Sequence, residues 1–198
     1  MQLDFQSGKV LVKLARETVE NALRKGRFEL KKIENKTLQR KACIFVTVVT
    51  YPEHLLRGCI GFTSPLPLYK AVQCAAYAAA FEDPRFPPIK KEELGKVVFE
   101  VSILSEPEQM KCKPEEYAKN IEIGKDGLII EYDTAKGLLL PQVAVEQKWS
   151  PEEFLKQVCF KAGLTPDYLY DRSTKLWKFQ AQIFAEIKPN GKVSMLYQ

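Results

Sequence analysis

Apolar residues recur at helical spacing over residues 9–25, KVLVKLARETVENALRK, where Val10, Leu11, Leu14, Ala15, Ala22 and Leu23 fall near one stripe. The pattern predicts an amphipathic helix, and Gly26 stands where a C-terminal cap belongs. The period then changes. ACIFVTVV, 42–49, is β-branched and almost wholly apolar, which predicts a buried strand. YPEH, 51–54, reads as a turn, and LLRGCIGF, 55–62, as the second strand of a hairpin. PLYKAVQCAAYAAAF, 67–81, reads as a helix with Pro67 in its first turn and alanines that permit close packing. Pro84, Pro87 and Pro88 prevent EDPRFPPIKK, 82–91, from continuing it.

VVFEVSIL, 97–104, predicts another strand, and PEEYAKN, 114–120, one or two helical turns. IEIG, LIIEYD and LLLPQVAVE read as three short strands joined by the glycine-bearing turns KDG and TAKG, with Pro141 at an edge or bulge. SPEE, 150–153, is a capping box in which Ser150 accepts and Glu153 reaches back; Pro151 suits the first turn. The helix it opens turns Phe154, Leu155, Val158, Cys159 and Ala162 inward, and Gly163 closes it. Over LWKFQAQIFAEI, 176–187, Trp177, Phe179, Ala181, Ile183, Ala185 and Ile187 alternate with Lys178, Gln180, Gln182 and Glu186. That predicts a long strand with one wet face, Phe184 being the exception. Strands outnumber helices without a βαβα order, so the fold class is α+β with a largely antiparallel sheet and flanking helices. The chain reads as one domain, 1–198, with sub-lobes of about 1–110 and 111–198.

Composition narrows the function classes. The chain is 45% hydrophobic and 28% charged, as globular proteins are, and its net charge of +5 does not by itself imply a nucleic-acid partner. No run approaches the roughly 18 apolar residues of a membrane span, and MQLDFQSGKV lacks the build of a signal peptide. The cysteines, Cys43, Cys59, Cys74, Cys112 and Cys159, are odd in number and scattered, which points to a reduced, cytoplasmic protein. His54 is the one histidine, and no Cys/His pair has zinc-ligand spacing, so no metal site is signalled. Neither a P-loop nor GxGxxG occurs, and no cofactor is expected. The basic stretch 24–41 interleaves only Phe28 as an aromatic and reads as a solvated face before it reads as a nucleic-acid surface.

LLRGCIGF carries the candidate chemistry. In a strand, Arg57, Cys59 and Gly61 share a face, and Leu56, Gly58, Ile60 and Phe62 share the other. A guanidinium beside a thiol raises the thiolate fraction, and Gly61 would leave an open spot beside them. On this reading Cys59 is a nucleophile or ligand contact that alkylates ahead of the other cysteines. The alternative is a buried structural Cys59 with Arg57 paired to Asp83 or Glu82, the glycines allowing close strand–helix approach. His54 lies an odd number of residues from Cys59, which disfavours a Cys–His dyad. EDPRFPP, stiffened by prolines and carrying charges of both signs, is either a site wall or a rigid helix exit.

The segments LRGCIG (56–61), EDPRFPP (82–88), GLLLPQVAVEQKW (137–149) and FLKQVCFKAGL (154–164) together resemble the AMMECR family. The resemblance implies an α+β protein with two intimately joined lobes around a curved, barrel-like sheet, and no agreed reaction. It implies a functional site at the LRGCIG motif. It also implies an association with Memo-like and radical SAM proteins in a shared modification pathway. The leading reading is a functional cleft built from LLRGCIGF, EDPRFPP and GLLLPQVAVE, with Cys59 as candidate nucleophile or ligand contact, Arg57 binding an anion, Asp83 or Glu146 orienting or acting as a base, and Gly58, Gly61, Arg85 and Gln142 as further binding residues. A non-enzymatic adaptor that docks a partner protein is the rival reading.

Overall fold

The computed structural model describes residues 2–197. Its chain divides into two units, Met1–Leu104 with Gln182–Gln198, and Ser105–Ala181.

In the first unit, helix α1 (Phe5–Lys25) starts where the Asp4 carboxylate accepts the Ser7 N–H at 2.8 Å, one turn before the apolar stripe begins. It ends at Gly26, whose φ of 70° is the left-handed cap expected there. Strand β1 (Lys41–Thr50) pairs antiparallel with β2 (Leu56–Pro67) on one side and β3 (Val97–Leu104) on the other, leaving β2 at the edge. Helix α2 (Leu68–Phe81) follows β2 directly. Strand alternation puts Ile44, Val46 and Val48 of β1 beside Ile103, Val101 and Phe99 of β3, all buried in one core with Leu11, Ala15, Ala75 and Ala79 from the two helices. A 3₁₀ turn at Lys91–Lys96 leads into β3.

The chain returns to this unit in the second half of β7 (Lys175–Glu186) and in β8 (Val193–Tyr197), which pairs with it. Here the expected wet face is corrected. Gln182 and Glu186 are buried, as is Phe184 between them. The Gln182 amide exchanges two hydrogen bonds with the backbone of Leu3, and Glu186 forms a bidentate pair with Arg16 of α1. Phe184 fills the space that Gly8 leaves by having no side chain. The polar residues at 182 and 186 are therefore partners for the N-terminal segment and α1.

In the second unit the first half of β7 pairs with β5 (Asp126–Tyr132), which pairs with β6 (Ala135–Leu139), and a two-residue strand β4 (Glu108–Gln109) flanks β7. IEIG is not a strand. Gly124 takes φ 87°, and Asp126 folds back so that its carboxylate accepts the Glu122 N–H at 3.0 Å. PEEYAKN forms two 3₁₀ turns. LLLPQVAVE does not continue as a strand after Leu139. Pro141 opens a short helix, α3 (Pro141–Glu146), whose first turn needs no N–H from it. Helix α4 (Pro151–Lys161) begins with Ser150 accepting from the Glu153 N–H at 3.2 Å, as expected, but the Glu153 carboxylate turns to Lys156 and Gln157 of its own helix instead of reaching back to complete a capping box. Phe154, Leu155, Val158 and Cys159 join Leu128, Ile130 and Leu176 in a core of this unit's own.

Candidate functional site

LLRGCIGF and EDPRFPP meet at the open edge of the first unit's sheet. Thr47 and Cys59 lie opposite each other in the β1–β2 ladder. The Cys59 N–H and C=O both point away from β1, where an edge strand has no neighbour. Two side chains of EDPRFPP take that neighbour's place. The Asp83 carboxylate accepts the Cys59 N–H at 2.9 Å, and Arg85 Nη2 donates to the Cys59 carbonyl at 3.2 Å. Arg85 also grips Asp83, Nε to Oδ1 at 2.9 Å and Nη2 to Oδ2 at 2.7 Å. The Arg85 backbone N–H adds a further bond to Oδ1 at 3.1 Å. The Asp83 side chain is only 2% exposed while that of Arg85 is 50% exposed. The guanidinium beside Asp83 holds its carboxyl far below the usual carboxylate range.

Arg57 finds a different partner from those the sequence suggested. Its Nε donates to Glu93 Oε1 at 2.8 Å and its Nη2 to Oε2 at 3.3 Å, in a half-buried pair. Neither Asp83 nor Glu82 fills that role. Two features explain the change. Val48 pairs with Gly58 and Val49 with Leu56, so Arg57 is the extra residue of a β-bulge and strict face alternation breaks there. Glu93 is fixed in the 3₁₀ turn by accepting the Lys90 N–H at 2.8 Å. Arg57 lowers the Glu93 pKa. The Phe86 ring lies 6.0 Å from the Arg57 guanidinium and 5.5 Å from that of Arg85, so both cations approach one aromatic residue.

Each glycine of the motif makes room for a neighbour. A Cβ on Gly58 would stand 2.0 Å from the Ala79 carbonyl oxygen, so this glycine lets α2 approach the strand. A Cβ on Gly61 would stand 2.3 Å from the Phe45 ring. The open spot expected beside Cys59 is thus filled by Phe45, its cross-strand neighbour. Cys59 is half-buried and its sulfur accepts from the Thr47 hydroxyl at 3.3 Å. Burial raises the thiol pKa, and this outweighs the opposing pull of the Thr47 hydrogen bond and of Arg85. The predicted thiolate enrichment is therefore reversed. In the same cross-strand row lies Glu100, opposite Thr47 on β3. His54 sits exposed in the β1–β2 turn at φ 55°, edge-on to Tyr51.

Of the residues the sequence singled out, the structure gathers Arg57, Gly58, Cys59, Gly61, Asp83 and Arg85 in the first unit. Gln142 and Glu146 belong to α3 of the second, one helical turn apart; Gln142 Oε1 is buried without a hydrogen-bond partner, and burial raises the Glu146 pKa. Thr47, Phe86, Glu93 and Glu100 were not anticipated. Phe86 lies inside EDPRFPP, but nothing local marks Thr47, Glu93 or Glu100. Among the described residues no group of three or more His, Cys, Asp or Glu is placed to hold a metal ion, and no helix is long and apolar enough to cross a membrane.

A family model described as AMMECR1 matches residues 12–184. The chain belongs to the AMMECR1 family. Protein PF1979 of Pyrococcus furiosus is 50% identical to it over 191 residues, covering 94% of this chain and 91% of that protein. Protein MJ0810 of Methanocaldococcus jannaschii is 46% identical over 193 residues, 96% of each chain. The crystal structure of the uncharacterized protein PH0010 from Pyrococcus horikoshii superposes with a TM-score of 0.94 at 44% identity, over 100% of both chains. The α+β architecture with an antiparallel sheet and flanking helices is thus a family property. LRGCIG and EDPRFPP, two of the segments that carried the resemblance, are the ones that interlock at the edge of β2.

Proposed function

We propose that this AMMECR1-family protein works by non-covalent recognition of a partner protein at the face built from LLRGCIGF and EDPRFPP, and that Cys59 is part of the scaffold. The observation that carries this reading is the double hold of Asp83 and Arg85 on the Cys59 backbone, which spends the charged groups of that loop on rigidity. A nucleophile needs an accessible thiolate, and burial pushes this thiol the other way. An anion pocket needs an uncompensated cation, and Arg57 and Arg85 each have a carboxylate of their own. What the face does offer is a half-exposed guanidinium at Arg85 and exposed apolar side chains at Leu55 (63%) and Leu56 (43%). Arginine is enriched in protein-docking hot spots, and exposed apolar side chains mark interaction surfaces.

The nucleic-acid reading loses support from the ion pairs within the basic stretch. Lys25 and Arg27 both pair with Glu29, Lys31 pairs with Glu17, and Lys32 pairs with Glu34. The family resemblance names the partners to test first, a Memo-like protein and a radical SAM protein from the same genome, and with them a role in a modification pathway.

The test mixes the purified chain with each purified partner and follows complex formation by calorimetry and gel filtration. Wild type and Cys59→Ser should bind alike, and Arg85→Glu should weaken binding at least about tenfold while keeping the fold. Limited iodoacetamide treatment at neutral pH should leave Cys59 unlabelled until the protein is denatured. Rapid labelling of native Cys59, with loss of cellular function in a folded, binding-competent Cys59→Ser variant, would replace recognition by thiol chemistry.

A further inference from the structure

The second unit carries an open groove of about 730 Å³, bounded by Pro107–Cys112 on one side, Trp177 and Lys178 on the other, and Asn120. Its residues are distinct from those of the LLRGCIGF site, and none was singled out as a site by the sequence. We propose that this groove binds a small planar heteroaromatic molecule bearing an anionic group, of the nucleoside monophosphate class.

The volume falls within the range of roughly 300–1,000 Å³ typical of small-molecule sites. Trp177 lines the groove and is half-buried, so an indole held by the β-ladder remains in reach of a planar ring. Stacking on such a residue accepts any base, because each has a π face. Gln109 lies opposite Trp177 in the β4–β7 pairing, and its amide supplies a donor and an acceptor beside the ring. Asn120 Nδ2 is engaged by the Glu116 carbonyl at 2.9 Å and by Cys112 Sγ at 3.7 Å; these bonds leave its Oδ1 as an acceptor.

The two lysines have different parts. Lys178 Nζ donates to the Asn120 carbonyl at 3.2 Å and stands 3.6 Å from the buried carboxylate of Asp126, so its position is fixed and its charge largely answered. Lys111 is exposed and makes no ion pair among the described residues. It is the cation left over to meet an anionic group. Glu108, paired across the ladder with Lys178, supplies the negative charge on the groove's lining. An indole, two amides and a spare ammonium around one groove select a ring with hydrogen-bonding edges and a negative tail.

The experiment uses the full chain. Calorimetry with adenosine, guanosine, cytidine and uridine 5′-monophosphates is run beside the neutral nucleosides and inorganic phosphate. A Trp149→Phe background leaves Trp177 as the sole indole, so that quenching of its emission reports occupancy. At least one monophosphate should bind saturably and about tenfold tighter than its nucleoside or than phosphate alone. Lys111→Gln, a change on an exposed side chain, should bring the monophosphate down to the affinity of the nucleoside. Trp177→Phe, which keeps a ring in the ladder, should weaken nucleotide and nucleoside together. No binding of any monophosphate up to about 5 mM overturns the proposal, as does binding that Lys111→Gln and Trp177→Phe leave unchanged. Phosphate binding as tightly as the nucleotides overturns it as well.

Discussion

At Asp83, four donors converge on one carboxylate: the Cys59 and Arg85 backbone N–H groups and the Arg85 Nε and Nη2. The residue is buried, so these bonds are not shared with water. Asp83→Ala leaves the Cys59 N–H without its partner and should cost about 1–3 kcal/mol. The dependence on pH has a definite sign. The folded-state pKa lies below the unfolded one, so the carboxylate's contribution is complete above the unfolded value and is lost as the pH falls toward the folded one. The melting temperature of wild type should therefore exceed that of Asp83→Asn by a constant margin down to about pH 5, and the margin should shrink below about pH 4. A margin that grows on acidification would contradict the bonding described. None of this was legible residue by residue. The sequence marked Cys59, Arg57 and Asp83 as special, yet it suggested a thiol activated by Arg57. The bulge at Arg57 and the capping of a backbone edge are pairing events between segments, and residue types alone do not encode them.

Among the elements, the pairing of β2 with α2 depends on Gly58. Gly58→Ala would drive a methyl group into the Ala79 carbonyl, against backbone that cannot rotate away. The expected loss is about 1–3 kcal/mol, as for other overpacked sites. Gly95 is the control: a Cβ there meets nothing within 4 Å. Gly95→Ala should leave the denaturation midpoint unchanged or raise it slightly, by at most about 1 kcal/mol. Urea titrations of the two variants decide, and equal midpoints would remove the packing explanation of the motif. Helix α1 and the start of α4 were readable because period and cap agreed, and β3 because its apolar, β-branched run is short enough for a buried strand. LLLPQVAVE was not, since a helix of six residues is too short to display a period of 3.6 against one of 2. IEIG failed for a similar reason: Asp126 and Gly124 turn the chain where the apolar residues invite extension.

For the molecule as a whole, a buried ion pair ties helix α1 to strand β7, far apart in the chain. Arg16, 3% exposed, donates to both oxygens of Glu186 at 2.6 Å and to the carbonyls of Leu94 and Val97. Glu186 also accepts the Phe99 N–H at 3.1 Å, and the Phe99 ring lies 4.9 Å from the guanidinium. One ion pair thus joins α1, the 3₁₀ turn, β3 and β7. Glu186→Ala should destabilise by about 3–5 kcal/mol, because it strands a buried guanidinium. Replacing both partners, Arg16→Met with Glu186→Leu, should recover much of that loss. Denaturant unfolding of the single and double variants measures the difference, and a double variant no better than the single one would show that the carbonyl bonds dominate. The alternation over 176–187 revealed the strand but suggested that Glu186 faces water. Only the arrival of α1 on that face turns it into a partner.

That arrival has a consequence for how the chain is made. Glu186 leaves the ribosome 170 residues after Arg16. The second unit is continuous in the chain and can close its own core during synthesis, as domains commonly do. The first unit cannot. Until β7 is translated, Arg16 lacks its buried partner Glu186 and keeps only the more exposed Glu20 of its own helix, and the slot that Gly8 leaves for Phe184 stays empty. The unit that α1 opens is therefore completed only after the second unit has been made, and until then the nascent chain carries an incomplete, apolar-faced helix and sheet.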